Sequence, residues 1–366
     1  MISTLTHSSL TFVLPFAVPA TAFLPQLEKK SALPTLQAIV QYAKTSTLTR
    51  QSDCTDSTLS GEFSPHLAYE HWLAQQLNLS SLPIAPLLLA GDGGHPGTAG
   101  WAVLQPVHIH AARDHLILHD PNELALTDVE AAALLAAAKP VLNDLSSRFL
   151  MPHPQHWYVG DENIQGLRCT SPARAIGRSI DIWLPVGEPA RFWRKLQNEI
   201  QMIWHDHPVN QARAARGAVP VNSLWLFGQG KVAHLHHHFD RIFANETLLI
   251  GIGKLSNTQS APLPHDFSDY VNTLSKEAAP KKSLIWLDLL AADHFTQNWS
   301  HWQDVFTQLE CNWLAPAYRA LQRRQLKAIT LVLMGEQSWL TIHTQPHDHW
   351  CIWRRRRLDS YFNALS

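Results

Sequence analysis

The apolar positions change period along this chain, and each change marks an expected element. Residues 11–16 form a short apolar run read as a buried first strand. After Pro34, the apolar residues Leu36, Ile39 and Val40 share one helical face. The Ser/Thr/Asp-rich stretch 45–65 has little apolar content and reads as a loop. Pro65 then opens a helix to Leu77 with Leu67, Trp72, Leu73 and Leu77 facing inward. Residues 87–90 are read as a strand before the glycine loop 91–97. Segments 101–110 and 115–119 alternate like two strands of a hairpin. Thr127, with Glu130 three residues on, starts an alanine-rich helix, and 149–159 reads as strand and turn. Trp193, Leu196, Ile200, Ile203 and Trp204 give the helix 190–205 a core-facing stripe.

Further on, residues 211–216 form a short helical run that Gly217 can end, and the apolar run 221–227 is expected to be a buried strand emptying into the loop Gly228-Gln229-Gly230. The run 231–244 is irregular and His-rich, and 248–252 reads as a strand. Strands are expected at 283–290 and 326–334, with a long helix at 299–323 between them. A final antiparallel pair is expected at 339–343 and 349–354. Helices alternating with buried strands predict an α/β fold, a layered and mostly parallel sheet with helices on both faces. The expected divisions are 1–60 (first strand and helix of the core, with a loop), 60–185 (a smaller peripheral subdomain) and 186–366 (the main part of the core).

Composition narrows the function classes. The 366 residues are 45% hydrophobic and 16% charged, which suits a globular protein with a large core. A net charge of −1 creates no global field for nucleic acid or a membrane surface. Cys54, Cys169, Cys311 and Cys351 are isolated, which suits a reducing compartment and a cytoplasmic protein. No Lys or Arg precedes the apolar segment 10–24, and Pro15 and Pro19 interrupt it, so it is read as a strand rather than a leader.

Several patterns carry candidate chemistry. A strand ending at Gly228 and Gly230 offers bare N–H groups to a ligand. Asn210, Arg213 and Asn222 lie in or beside the same stretch. Asn222 is polar at the start of an apolar strand and must have a partner. Histidines cluster at 108, 110, 115 and 119, at 234 and 236–238, and at 343, 347 and 349. Imidazole binds zinc, but none of these clusters has a Cys or H-E-x-x-H companion, so each alone is read as ordinary surface or strand-edge histidine. Asp288, Asp293 and His294 follow an expected strand, where sheet-edge groups can hold divalent metal. Four arginines at 354–357 form a basic run beside Trp353 whose charges snorkel to solvent; phosphate or acidic partners are the sharper reading.

The stretches IGRSIDIWLP (176–185), LQNEIQMIWHDHPVN (196–210) and PVNSLWLFGQG (220–230) resemble a bacterial family of regulatory proteins of the pathogenicity-factor regulation type E, often labelled phosphoglycerate mutases. The second half also resembles archaeal-type cofactor-independent phosphoglycerate mutases. This likeness implies an alkaline-phosphatase-like core and a two-metal phosphoryl-transfer site using Asp, His and a serine. The sequence departs from that pattern. The first strand leads into Leu14-Pro15-Phe16 where the family has Asp-Gly. The late strand leads into Gly335-Glu336-Gln337-Ser338 where it has Gly-Asp-His-Ser. Glu336 can still ligate, whereas Gln337 is a poor imidazole substitute. The family's Asp-x-x-x-His resembles the region 288–294, where His294 is a candidate for the His but the position four before it is Leu290. The expectation is a non-catalytic regulatory or ligand-binding protein with a degenerate metal site and no resident metal, binding a small phosphorylated ligand or a protein partner, and neither membrane nor nucleic acid. The alternative is a phosphomutase or related phosphoester enzyme using manganese or zinc at a rearranged site built from Asp288, Asp293, His294 and Glu336.

Overall fold

The computed structural model describes residues 7–19, 23–24, 33–50, 64–232, 234–274, 279–351, 353–354 and 356–365. Within these, the strands are, in chain order, β1 (Ser9–Leu14), β2 (Thr45–Arg50), β3 (Gly100–Val107), β4 (Ile109–Ala111), β5 (Leu116–Leu118), β6 (Phe149–His153), β7 (His156–Gly160), β8 (Ser223–Lys231), β9 (Arg241–Phe243), β10 (Gln259–Ala261), β11 (Lys282–Trp286), β12 (Ala328–Met334) and β13 (Ser338–Thr344). The chain divides into two compact units, residues 1–78 with 236–366 and residues 79–235. The second unit thus starts nearer 79 than 60 and extends past 185 to take in the motif around Gly228.

The first unit is a mixed α/β layer. Its sheet has the order β10-β9-β11-β1-β12-β13-β2 and is flanked by helices. β10, β9, β11, β1 and β12 are parallel, and β13 and β2 add antiparallel partners at one side. β1 sits between β11 and β12, with Phe12 level with Ile285 and Leu331. Leu10, Phe12 and Leu14 are buried, and Phe12 meets Trp313 edge-on at 6.2 Å between centroids. Burying such aromatic rings contributes much of a core's stability.

Four elements of this unit differ from the sequence expectation. Residues 45–50 form β2, because threonine tolerates an extended edge that apolar content alone does not reveal. Residues 51–63, Cys54 among them, lie outside the described residues. Residues 248–252 lie in the helix Thr247–Leu255, whose buried Leu249 and Ile252 are three apart. The helix expected at 299–323 is interrupted by a π turn at Glu310–Leu314. Glu310 takes the backbone N–H groups of Thr35 (2.9 Å) and Leu36 (3.2 Å), the first turn of another helix. The last expected strand is a single 3-10 turn, Asp348–Trp350, and β13 pairs with β12 and β2.

In the second unit the antiparallel order is β6-β7-β3-β8, with β4-β5 as a separate hairpin. Residues 87–90 lie in the helix Ile84–Gly91, not a strand. Its apolar run has no period that distinguishes strand from helix, and Pro86 in the first turn sacrifices no helical hydrogen bond. β8 is an edge strand, and it runs straight through Gly228-Gln229-Gly230 instead of stopping there. The helices Ile84–Gly91 and Ala190–His205 both pack on it, which accounts for apolar residues on both its faces. A Cβ on Gly230 would stand 2.7 Å from that of Pro83, so these glycines let helix and strand meet. Trp157, Trp193 and Trp204 fill the core, and the Trp204 indole N–H donates to Leu134 O at 3.0 Å. No helix among the described residues is long and apolar enough to cross a membrane.

Candidate functional site

Because β9, β11, β1 and β12 run parallel, their carboxyl ends share one edge of the sheet. Ligand-binding groups of α/β proteins usually gather at this edge. β1 leads into Leu14-Pro15-Phe16. β11 leads to Asp288 and the helix Ala291–Phe295, which carries Asp293 and His294. β12 leads to Gly335-Glu336-Gln337, and β9 leads to Asn245-Glu246.

Two of the expected metal residues meet directly. His294 Nε2 lies 3.1 Å from Glu336 Oε1. The His294 ring is enclosed by aromatics, 5.2 Å from Phe16, 5.8 Å from Phe295 and 5.4 Å from Trp299 between centroids. Its Nδ1 is buried without a hydrogen-bond partner. Phe16 has φ 55°, a left-handed conformation that costs an aromatic residue energy. The conformation is held by the Trp302 indole donating to Phe16 O at 3.0 Å and by ring contacts with Phe295 and Tyr69.

Asp293 pairs instead with His301 Nδ1 at 2.8 Å. Asp288 forms a different pair. Its Oδ1 and Oε2 of Glu246 are enclosed without hydrogen-bond partners. Burial pushes the Asp288 carboxyl up to about 6. Burial, with the nearby Asp288 charge adding to it, pushes Glu246 up to about 7. Two carboxyls that interact in this way can share a proton or a cation. Beside them opens a cavity of about 400 Å³ lined by Asn245, Leu263, His265, Leu289 and Trp313 among others. Glu246 escaped sequence reasoning. It follows the buried run Ile242 to Ala244, but the three-residue β9 gives no periodic signal. Among the described residues, one trio of His, Asp or Glu has all its ligand atoms within 4.8 Å of one another: His265, Asp266 and Asp269, a largely exposed group.

The residues of the glycine stretch have their polar groups committed within the fold. Asn210 donates to Trp204 O (2.8 Å) and Val221 O (2.7 Å) and accepts from Val221 N (2.9 Å). Arg213 donates to Val219 O (2.7 Å), Glu130 (3.0 Å) and Leu124 O. Asn222 exchanges hydrogen bonds with the backbone of Ile109 at 2.8 and 2.7 Å, the partner its position demanded. Gly228 (φ 72°) and Gly230 lie against Ile84 and Pro83. In the basic run, Arg354 donates to Tyr42 O and Ala43 O at 2.8 Å, Arg356 donates to Ala43 O, and Arg357 pairs with Asp359. The first two satisfy carbonyls at the end of the helix Pro34–Tyr42. His237 is held by Ser256 (2.9 Å) and Thr258 (3.0 Å).

No protein-family model matches the chain. A Geobacter sulfurreducens protein named "Probable 2,3-bisphosphoglycerate-independent phosphoglycerate mutase" is 29% identical over 180 residues, 46% of this chain and 44% of that protein. The Methanosarcina mazei 2,3-bisphosphoglycerate-independent phosphoglycerate mutase is 35% identical over 122 residues, 32% of this chain and 30% of that protein. The chain therefore matches less than half the length of either relative. A solved Pyrococcus horikoshii protein superposes with a TM-score of 0.55 at 9% identity, over 96% of this chain and 91% of that one, a likeness of fold. Over the matched segments the chain is distantly homologous to cofactor-independent phosphoglycerate mutases.

Proposed function

We propose that this chain is a phosphoglycerate-mutase-like protein with an alkaline-phosphatase-like core whose two-metal site has decayed, and that it acts as a cytoplasmic regulatory or ligand-binding protein of the pathogenicity-factor regulation type. One observation carries this reading. Where two cations require carboxylate and imidazole, the edge of the sheet presents the Phe16 ring against His294, and Glu336 occupies His294 Nε2 at 3.1 Å. The residues present do not fit a two-cation set, since Phe16 and Gln337 offer no anionic or imidazole donor. The occupant of the edge would be a small phosphorylated ligand or a protein partner, with no resident metal.

A second reading is favoured by the Asp288–Glu246 pair. Two enclosed carboxyls, each with one oxygen that lacks a hydrogen-bond donor, suit a single divalent cation, manganese or zinc, and a rearranged phosphoester chemistry. Metal content of the purified full-length protein, with a mutase assay supplemented with manganese or zinc, separates the two. No turnover, and a metal content that Asp288→Asn leaves unchanged, support the first reading. One bound metal per chain, with turnover lost in His294→Ala or Asp288→Asn, overturns it.

A further inference from the structure

We propose that His108, His110 and His119, joined by Glu123, bind one divalent transition-metal ion of the zinc type in the second unit, closing the base of the β4–β5 hairpin onto the 3-10 turn Pro121–Leu124. The register supplies the arrangement. Ile109 faces Leu118 across the hairpin, and His119 N donates to His108 O at 3.0 Å, so His108 and His119 are cross-strand neighbours. His110 is two residues from His108, and side chains two apart in an extended chain share a face. Three imidazoles therefore stand together. His108 and His110 are 6.1 Å apart between centroids and nearly parallel, and His108 and His119 are 6.1 Å apart and edge-on.

Hydrogen bonding argues that this group awaits a ligand. Nδ1 of His108 and Nε2 of His119 are both enclosed and make no hydrogen bond. Leaving such an acceptor unpaired costs about 1–3 kcal/mol; His108 Nδ1 is left so, while His119 Nε2 has the Glu123 carboxylate beside it. His108 also hydrogen-bonds the backbone of Pro220. With Nδ1 making no hydrogen bond, Nε2 is the donor and Nδ1 keeps its lone pair. Metal-bound histidines commonly have their second nitrogen anchored in this way. Burial, and then the neighbouring His119 and His110, hold the His108 imidazole below its ordinary range, in the neutral form that ligates.

Glu123 supplies the fourth donor. Its Oε2 lies 3.0 Å from His119 Nε2 without a hydrogen bond between them. Two ligand atoms on one zinc are about 3.3 Å apart, given zinc–nitrogen distances near 2.0–2.1 Å. Both His110 and Glu123 are exposed, on a three-residue strand and a short turn, so inward rotation of these two completes the shell. Three nitrogens and one carboxylate select zinc-like ions over calcium or magnesium. A closed four-donor shell is structural in character. The proposal is independent of the sheet-edge site, which lies in the other unit.

The test uses the full-length protein freed of metal by chelation, then titrated with cobalt(II) followed by its visible absorption and with zinc by calorimetry. The expected result is one equivalent with a tetrahedral cobalt spectrum. His108→Gln and His119→Gln are each expected to weaken binding at least tenfold, while His265→Asn leaves it unchanged. Circular dichroism checks folding. Should the two enclosed variants misfold, His110→Gln and Glu123→Gln, at exposed positions, decide, and unchanged affinity in both overturns the site. Absence of stoichiometric binding in the wild type, or binding that follows His265, also overturns it.

Discussion

Single residues carry two of the clearest consequences of this structure. In the unfolded chain Asp288 and Glu246 titrate near 4, whereas in the fold they are pushed up to about 6 and about 7. Between those values the folded protein holds more protons than the unfolded one. Stability therefore falls as pH rises from about 4 to about 7 and remains lower above. Chemical denaturation across pH 4–8 is expected to show this slope, and the double variant Asp288→Asn, Glu246→Gln is expected to flatten it and to gain roughly 1–3 kcal/mol at pH 8. A slope that survives the substitutions would show that other groups cause it. Arg213 is 1% exposed. Burial alone would raise the Glu130 carboxyl, but hydrogen bonds from Thr127 and the charges of Arg216 and Arg213 hold it below its ordinary range. Arg213→Met leaves Val219 O and Leu124 O without their donor and removes a cation from Glu130. Its expected cost, read from urea midpoints, is about 3–5 kcal/mol. Asn222 drew notice because a polar residue at the start of an apolar strand requires partners. Sequence could establish that requirement, but it could not show that the partners are the protein's own backbone.

At the scale of elements, legibility followed periodicity. The helix 190–205 and the strands β1, β11 and β12 were expected close to their observed places because a continuous apolar stripe or run spans each of them. Short apolar runs misled. The segments 87–90 and 248–252 became helices, since four or five consecutive apolar residues fit either period. In the helix Thr247–Leu255 the deciding contact is tertiary. A Cβ on Gly253 would lie 1.8 Å from Ser260 Oγ and 3.1 Å from the backbone oxygen of Thr258. The glycine is present so that this helix can lie against β10. Gly253→Ala is expected to cost about 1–3 kcal/mol in thermal or urea unfolding, because the Ser260 side chain must move away and the Thr258 carbonyl must give slightly to admit the methyl group; an unchanged midpoint would show that the helix has room there. The same contact logic explains Gly228 and Gly230. In sequence these residues suggested a loop offering N–H groups to a ligand, yet they lie inside β8 where helix and strand approach.

For the whole molecule, the order of the chain matters most. Strands β1 and β2 are made early, but their partners β11, β12 and β13 follow residue 280, after the entire second unit has been passed. This discontinuity is why divisions drawn at 60 and 185 do not coincide with the compact units. The sheet edge unites Phe16, Asp288, His294, Glu336 and Glu246 from separations of up to 320 residues, and the proposed function depends on that meeting. What the sequence determined by itself is what local pattern encodes: an α/β layering, the main helices and central strands, and the likeness to phosphoglycerate mutases. Only the tertiary structure decided that Phe16 packs on His294, that Glu246 joins Asp288, and that His108, His110 and His119 meet at one hairpin with two ring nitrogens making no hydrogen bond. These depend on strand register and long-range packing. Register and packing arise from the summed burial of the whole core, and no short window of sequence contains them.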